Sequence, residues 1–403
     1  MVREFDARNL LGRCRYTVVG SIVTRIVLSP DKFKGSLTAA EVAVALSEGM
    51  HSVDPALDIV RLPVADGGEG TVAAAVSAGW KPVATPTTGP TGEPLMATFA
   101  VRGDTAVVEL AAASGLQVLH NEKPDPLRAS TYGTGTLITA AVNAGFRRIV
   151  LGLGGSASTD GGAGLLEALG AQILDSHDAP IGRGGAALAG AARLDTATIS
   201  PAVRATSFLL ACDVDNPLLG KQGAVRIYGP QKGARGPDLA TLEAALRQWS
   251  RVVNSATGED LSGVAGAGAA GGTAFGVLAV LGGVIASGVE TVLELLDFSS
   301  QLTAADLVVT GEGAIDSQSL HGKAPIGVAR AAQTVGCRVI AVAGRSRVSA
   351  ERLRDYGISH VYALSDLERN PEISLHNAAA LLRRVGARIA IEQCGGESPE
   401  RLP

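Results

Sequence analysis

Carboxylates and lysines in short polar or glycine-rich segments are the residues of this chain best suited to chemistry. Asp31, Asp66, Glu69, Asp160, Asp213, Glu312 and Asp316 can hold Mg2+ or accept a proton, while Lys32, Lys34 and Lys323 can neutralise anions. Phosphoryl transfer needs this combination. A divalent cation and fixed positive charge balance the moving phosphoryl while a carboxylate orients the attacking hydroxyl. Ser/His/Asp hydrolysis fits less well, because there is no G-x-S-x-G elbow and His321 is the only histidine in these segments.

Each residue also has a plainer use. Asp31 after Pro30 suits a turn, and Lys32 and Lys34 suit solvated loop charge. Asp66 and Glu69 would complement a helix N-terminus. Asp160 would cap a helix beginning near Gly162, and the Asp213-Val214-Asp215-Asn216-Pro217 run would build an Asx turn. Glu312 and Asp316 resist such a reading, since they lie with two glycines between a strand end and a helix start. The joint pattern points to phosphate chemistry more strongly than any member does.

Five such segments, residues 29–36, 66–70, 154–162, 213–217 and 311–323, each follow an apolar run read as a strand. In open α/β sheets ligands bind beyond the carboxyl ends of the strands, so these loops are expected to converge on one cleft. The N-terminal pair has β-loop-α-β-loop-α order: strand 25–28, a helix starting at Ala39 behind a Thr38/Glu41 capping box, strand 58–64 and a helix to about Ala78. From Trp80 the chain changes character, and Pro82, Pro86, Pro90 and Pro94 punctuate short segments that read as antiparallel strands. Helix 237–253 reads as exposed. Clean α/β order returns from Ala305, with strand 306–310, loop 311–323, a helix from Pro325 and strands 337–343 and 360–364.

The expected architecture is therefore two α/β domains with the active site in the cleft between them. A Rossmann-like parallel-sheet domain is built from both chain ends, residues 24–75 and 295–403, and a mixed α/β domain, residues 76–294, is inserted. Residues 1–23, which include Arg3, Arg8, Arg13 and Arg15 but no long apolar core, read as an N-terminal extension rather than a signal peptide.

Residues 147–170, RRIVLGLGGSASTDGGAGLLEALG, read as strand, loop and helix, with loop amides and a helix N-terminus placed for an anion. Without a lysine this is not the G-x-x-x-x-G-K-[ST] loop. Gly152, Gly154 and Ala157 give only a weak G-x-G-x-x-[GA] match. That match, with Asp175 beyond the next apparent strand, supports one alternative, a nucleotide-linked 2-hydroxy acid dehydrogenase, although residues 162–169 are short for its crossover helix. A non-enzymatic two-lobed binding protein is another.

Composition narrows the partners. A formal charge of −4 supplies no basic field for nucleic acid or an acidic membrane surface. The four cysteines, Cys14, Cys212, Cys337 and Cys394, are far apart and form no C-x-x-C, which indicates neither a zinc site nor a disulfide framework and fits a reducing, cytoplasmic compartment. Residues 261–289 carry no charge, but their many glycines and the short dense stretch 274–286 favour a buried helix over a membrane span.

Six ordered motifs carry a family resemblance: SPDKFKGSLTAAE at 29–41, PVADGGEGT at 63–71, LGLGGSASTDGGAGLLEALGA at 151–171, ACDVDNPLLG at 211–220, GAGAAGGTAFG at 266–276 and VVTGEGAIDSQSLHGKAP at 308–325. Together they resemble the bacterial glycerate kinase family, of the glycerate 2-kinase type. The resemblance implies ATP- and Mg2+-dependent phosphorylation of D-glycerate to 2-phosphoglycerate in glycerate, glyoxylate or sugar-acid catabolism, with 3-phosphoglycerate as the alternative product. The resemblance does not itself assign roles; from residue type and position, Asp66, Asp316 and Lys32 are the expected catalytic residues, and Lys34, Ser36 and Lys323 are expected to bind substrate. On the same grounds Gly154, Gly155, Ser156, Ser158, Thr159 and Gly161 are expected to hold the nucleotide phosphates, and Glu312, Asp213 and Asp160 the metal. The oligomeric state, monomer or homodimer, stays open.

Overall fold

The computed structural model describes residues 25–119 and 123–395. The expected extension, residues 1–23, lies outside them.

Five parallel strands form one sheet in the order Ile358–Ala363, Arg338–Ser346, Leu307–Ile315, Arg25–Pro30, Asp58–Arg61. From Arg25–Pro30 the chain moves one way to Asp58–Arg61, and on its return it builds Leu307–Ile315 against the other side and moves away. Between those two central strands the order reverses, which is where an open α/β sheet leaves a crevice at its carboxyl edge. Both faces are covered, so the central strands are apolar over most of their length, whereas the edge strand Asp58–Arg61 keeps charged, exposed ends. Ile26 and Leu28 are buried with Val42, Leu46, Leu382 and Ile389 of helices Ala39–His51 and Ala378–Cys394. Val27 points the other way, onto Ile326 and Val328 of helix Ala324–Gln333 and onto Val289. Thr38 and Glu41 start the first helix as expected: Glu41 N donates to Thr38 Oγ1 at 3.2 Å and Thr38 N to the Glu41 carboxylate at 2.8 Å.

The middle of the chain forms a six-stranded mixed sheet in the order Val284–Ala286, Ser207–Ala211, Arg148–Gly152, Thr105–Glu109, Pro94–Arg102, Lys81–Thr88. The first four run parallel and the last two are antiparallel, in agreement with the proline-punctuated pattern after Trp80. Helix Thr71–Ser77 packs on this sheet, with Val72 and Ala75 buried against Val107, Val150 and Ala211. The expected domain boundary between residues 75 and 76 thus falls inside a helix.

Four expectations change. The strand read as 306–310 runs from Leu307 to Ile315, because Gly311, Glu312 and Gly313 continue its pairing with Arg338–Ser346 instead of opening a loop. Glycine is needed there: a Cβ on Gly311 would stand 1.9 Å from the Val342 carbonyl oxygen. The helix read as exposed spans Pro237–Thr257 and buries Leu242, Leu246, Trp249 and Val253 on one face. In the uncharged segment, helix Ala269–Leu281 is broken by positive φ at Ala270, Gly271 and Gly272, and the chain then enters strand Val284–Ala286. Among the described residues no helix is long and apolar enough to cross a membrane. Finally, helix Ala163–Ala168 leads into Gln172–Leu174, which pairs antiparallel with Arg193–Asp195 in a separate two-stranded sheet. The next strand is therefore not the parallel partner that a dinucleotide fingerprint calls for; Arg148–Gly152 meets its parallel neighbour only at Ser207–Ala211, beyond this insertion. Asp175 instead accepts from its own turn, at His177 N and Ala179 N.

Candidate active site

A cavity of about 590 Å³ opens at the reversal of strand order, beyond the carboxyl ends of Arg25–Pro30 and Leu307–Ile315. Four of the five expected loops reach it. Asp31, Lys32, Lys34 and Ser36 come from the first, Asp66, Gly68 and Glu69 from the second, Gly154 and Gly155 from the third, and Glu312, Asp316 and Lys323 from the last. The second and third loops meet through backbone alone. A Cβ on Gly154 would lie 2.6 Å from Gly68 Cα, so the six-stranded sheet brings its loop to the cavity only because both positions are glycine.

The charged groups are arranged around Lys32. Its Nζ donates to the Glu69 carbonyl at 2.7 Å and stands 3.9 Å from Asp31 Oδ1. Burial opposes its charge, but Asp31, Asp66, Glu69 and Glu109 together hold its pKa above the ordinary lysine value. Lys32 thus stays cationic. Asp31 is 7% exposed, and burial, reinforced by Asp66 and Glu312 against the pull of Lys32, pushes its carboxyl up to about 7. Its Oδ1 accepts from Lys32 N at 2.6 Å. Burial also raises Glu312, whose Oε2 is 3.9 Å from Lys323 Nζ and whose buried Oε1 has no hydrogen-bond partner. Asp316 accepts from Gln318 N at 2.8 Å, which fixes its turn.

Six expected site residues stand elsewhere. Asp160 is fully buried and accepts from Thr131 N at 2.8 Å and Thr131 Oγ1 at 2.9 Å, with Ser130 Oγ and the amides of Gly162 and Gly164 at 3.3 Å. Such a carboxylate organises the loop and helix start and leaves no face for a metal. Asp213 is claimed by a helix N-terminus: it accepts from Gly288 N at 2.8 Å, Ser287 Oγ at 3.0 Å and Val289 N at 3.3 Å, at the head of helix Gly288–Leu295. The remainder of the expected phosphate loop faces inward. Ser156, Ser158 and Thr159 are buried, Gly161 N donates to Gly271 O, and Trp249 Nε1 donates to Gly161 O at 3.0 Å. Only Gly154 and Gly155 of that set line the cavity.

Two buried ionisable residues escape the sequence reading. Glu109 ends strand Thr105–Glu109 and accepts from Val72 N at the start of helix Thr71–Ser77; burial pushes its carboxyl up to about 7. Its signal was a lone charge inside the apolar run 105–116. Lys232, 1% exposed, donates to the Ser158 carbonyl from behind the third loop, and burial lowers its pKa to about 7 while Asp160 opposes the shift. Nothing in Gly-Pro-Gln-Lys-Gly, residues 229–233, distinguishes this lysine from a solvated one.

The chain matches the model of the glycerate kinase family over residues 26–392. It belongs to the glycerate kinase family. Glycerate kinase of Bacillus subtilis (strain 168) is 43% identical over 369 residues, covering 91% of this chain and 97% of that one. Glycerate 2-kinase of Escherichia coli (strain K12) is 41% identical over 380 residues, covering 91% and 98%. A solved Salmonella typhimurium LT2 chain described as a glycerate kinase 2 superposes with a TM-score of 0.78 at 39% identity, over 92% of this chain and 98% of that one. The six motifs used to recognise the glycerate kinase family thus fall within one matched span.

Proposed function

We propose that the chain is an ATP- and Mg2+-dependent glycerate kinase that transfers the γ-phosphoryl group of ATP to a hydroxyl of D-glycerate, giving 2-phosphoglycerate. The observation that carries this reading is the meeting of Lys32, Lys34, Asp66, Glu312, Asp316 and Lys323 in one cavity at the sheet's reversal. Family membership supports it, as do the glycerate kinase and glycerate 2-kinase relatives. The first strand after residues 154–162 joins a separate antiparallel pair, and the parallel neighbour of Arg148–Gly152 follows only at Ser207–Ala211, which departs from the compact β-α-β unit of a dinucleotide fingerprint. In this reading the two sheets form two domains, close to the expected 24–75 with 295–403 and 76–294 but with the first boundary moved ahead of helix Thr71–Ser77, which packs on the six-stranded sheet, and the enzyme works in the cytoplasm.

The roles follow from position and charge. Lys32, kept protonated by its acidic neighbours, and Lys34 offset the charge of the glycerate carboxylate and of the phosphoryl oxygens. Ser36 lines the cavity from the same loop, and because its hydroxyl proton goes to the Leu375 carbonyl, its oxygen is left to accept from a substrate hydroxyl. Asp66 lines the cavity with no protein hydrogen bond on its carboxylate among the described residues, and it orients the attacking hydroxyl. Asp316 stands across the cavity as the second candidate for that task.

The donor set fits a divalent cation. Asp66 and Glu312 each push Asp31 upward, and Glu312 keeps one buried oxygen unpartnered, so the site gathers negative charge that Lys32 and Lys323 offset only in part. Among the described residues no three acids stand at metal-ligand spacing. Glu312, with Asp66 or Asp31, would hold the ion, which when bound balances charge on the β- and γ-phosphoryl oxygens. Lys323, 3.9 Å from Glu312, supplies positive charge on the same side.

A coupled assay for ATP-dependent ADP release with D-glycerate tests the proposal, with NAD(P)H absorbance and hydroxy acids as the control for the alternative chemistry. Release of ADP supports it, and phosphorus NMR of the product assigns O2 or O3. Silence across a panel of hydroxy acids refutes it.

A further inference from the structure

The cavity is lined by two chemically different sets of residues. One is the set of lysines and carboxylates described above. The other is Leu364, Leu375 and Ala378, with Arg345 and Arg369, and the transfer chemistry uses none of these. Leu364 and Ala378 are buried, whereas Leu375 is 46% exposed. The apolar wall is nevertheless fixed to the reacting groups: Ser36 Oγ donates to the Leu375 carbonyl at 2.7 Å, tying helix Pro371–His376 to the loop that carries Lys32 and Lys34. Arg345 lies opposite Ala314 where the two longest strands of the parallel sheet project beyond their neighbours.

Size and chemistry select the occupant. A three-carbon acid has seven heavy atoms and fills roughly 200 Å³ at liquid-like packing, even allowing each heavy atom the ~30 Å³ share of a water molecule. The cavity holds about 590 Å³. A leucine left half open on a cavity wall favours an apolar ring, which removes its surface from water. Guanidinium groups match phosphate oxygens in pairs. Glycerate has no ring, whereas a nucleotide has both a ring and phosphates.

We infer that the part of the cavity walled by Leu364, Leu375 and Ala378 binds the base and ribose of ATP, so that the triphosphate passes Arg345 and Arg369 on its way to Lys32 and Lys323. This rests on the kinase reading above and replaces the expectation that residues 154–162 cradle the phosphates. That loop gives the cavity only Gly154 and Gly155, and Gly154 packs on Gly68.

Leu375→Asp and Arg369→Ala test the inference, since both sites are exposed and neither change should alter the thermal melt. Leu375→Ala is the substitute if the aspartate variant melts early. Leu375→Asp is expected to raise KM for ATP about tenfold or more while leaving KM for D-glycerate within about twofold. By calorimetry it should abolish adenosine binding and spare inorganic triphosphate, with Arg369→Ala showing the reverse. A change in KM for D-glycerate instead of ATP, or no change in either, overturns the assignment. Should the wild type bind ATP but leave D-glycerate unphosphorylated, the acceptor reading falls and the adenosine titration still decides this subsite. Should it bind no adenine nucleotide, both fall.

Discussion

Replacing Asp31 by asparagine separates the stability of the fold from the needs of the site. Asp31 is held near 7 against its ordinary 3.8, chiefly by burial. At about 1.4 kcal/mol per pH unit, ionising it in place costs about 4 kcal/mol. Relaxation and water entry in a real cavity reduce this to about half, or about 2 kcal/mol. The sign follows from the raised value. Between pH 4 and 7 the unfolded chain loses the Asp31 proton while the folded chain keeps it, so wild-type stability falls across that window and stays low above it. The amide of the Asp31→Asn variant has no proton to lose. In magnesium-free buffer the variant should match wild type at pH 4–5 and gain about 2 kcal/mol, roughly 4 °C in melting temperature, at pH 8. Thermal melts of both proteins from pH 4 to 9 provide the measurement. The same substitution should slow phosphoryl transfer, because the charge that strains the apo fold is the charge a cation needs. A variant that is no more stable at pH 8 than at pH 5, relative to wild type, would refute the account of Asp31 as a buried, strained acid.

Two further outcomes are expected. Gly154→Ala drives a Cβ to 2.6 Å from Gly68 Cα, so the two loops must separate; a loss of about 1–3 kcal/mol and about a hundredfold in kcat/KM should result. Gly190→Ala, with open space around its Cβ, is the control and should behave as wild type in both assays. Lys232→Met removes the donor to the Ser158 carbonyl and the cation facing Asp160, and chemical denaturation should show a loss of about 3 kcal/mol. Unchanged stability would mean that the buried amine does not hold the loop.

What could be read from the sequence was local chemistry with a short range. Thr38 and Glu41 announce a helix start because both partners of the capping box lie within one turn, and the structure forms that box. The convergence of residues 31–36, 66–69 and 312–323 was readable because strand-end loops of a parallel sheet share an edge. The residues that stand apart from the cavity share a cause. Whether a polar residue faces a cavity or the interior depends on segments remote in sequence: Asp160 is satisfied by Thr131, and Asp213 by residues 287–289. Lys232 is buried by its approach to Ser158, 74 residues away. Glycine misled in the opposite direction, since Gly311 and Gly313 read as a loop but serve a close strand pairing.

The placement of strand Arg25–Pro30 also sets an order of assembly. Ser29 pairs with Thr310, whose hydroxyl reaches the Ser29 carbonyl from 281 residues away. At roughly 5–20 residues per second on the ribosome, the first strand waits between about a quarter of a minute and a minute for that neighbour. The six-stranded sheet lies wholly within the interval and can close first. Meanwhile Ile26, Val27 and Leu28 present an open, apolar strand edge, the kind of surface that pairs with other chains. The parts of the site nearest the N-terminus are thus synthesised first and completed last, and so long a wait for a pairing partner is the kind of non-local closure that slows folding.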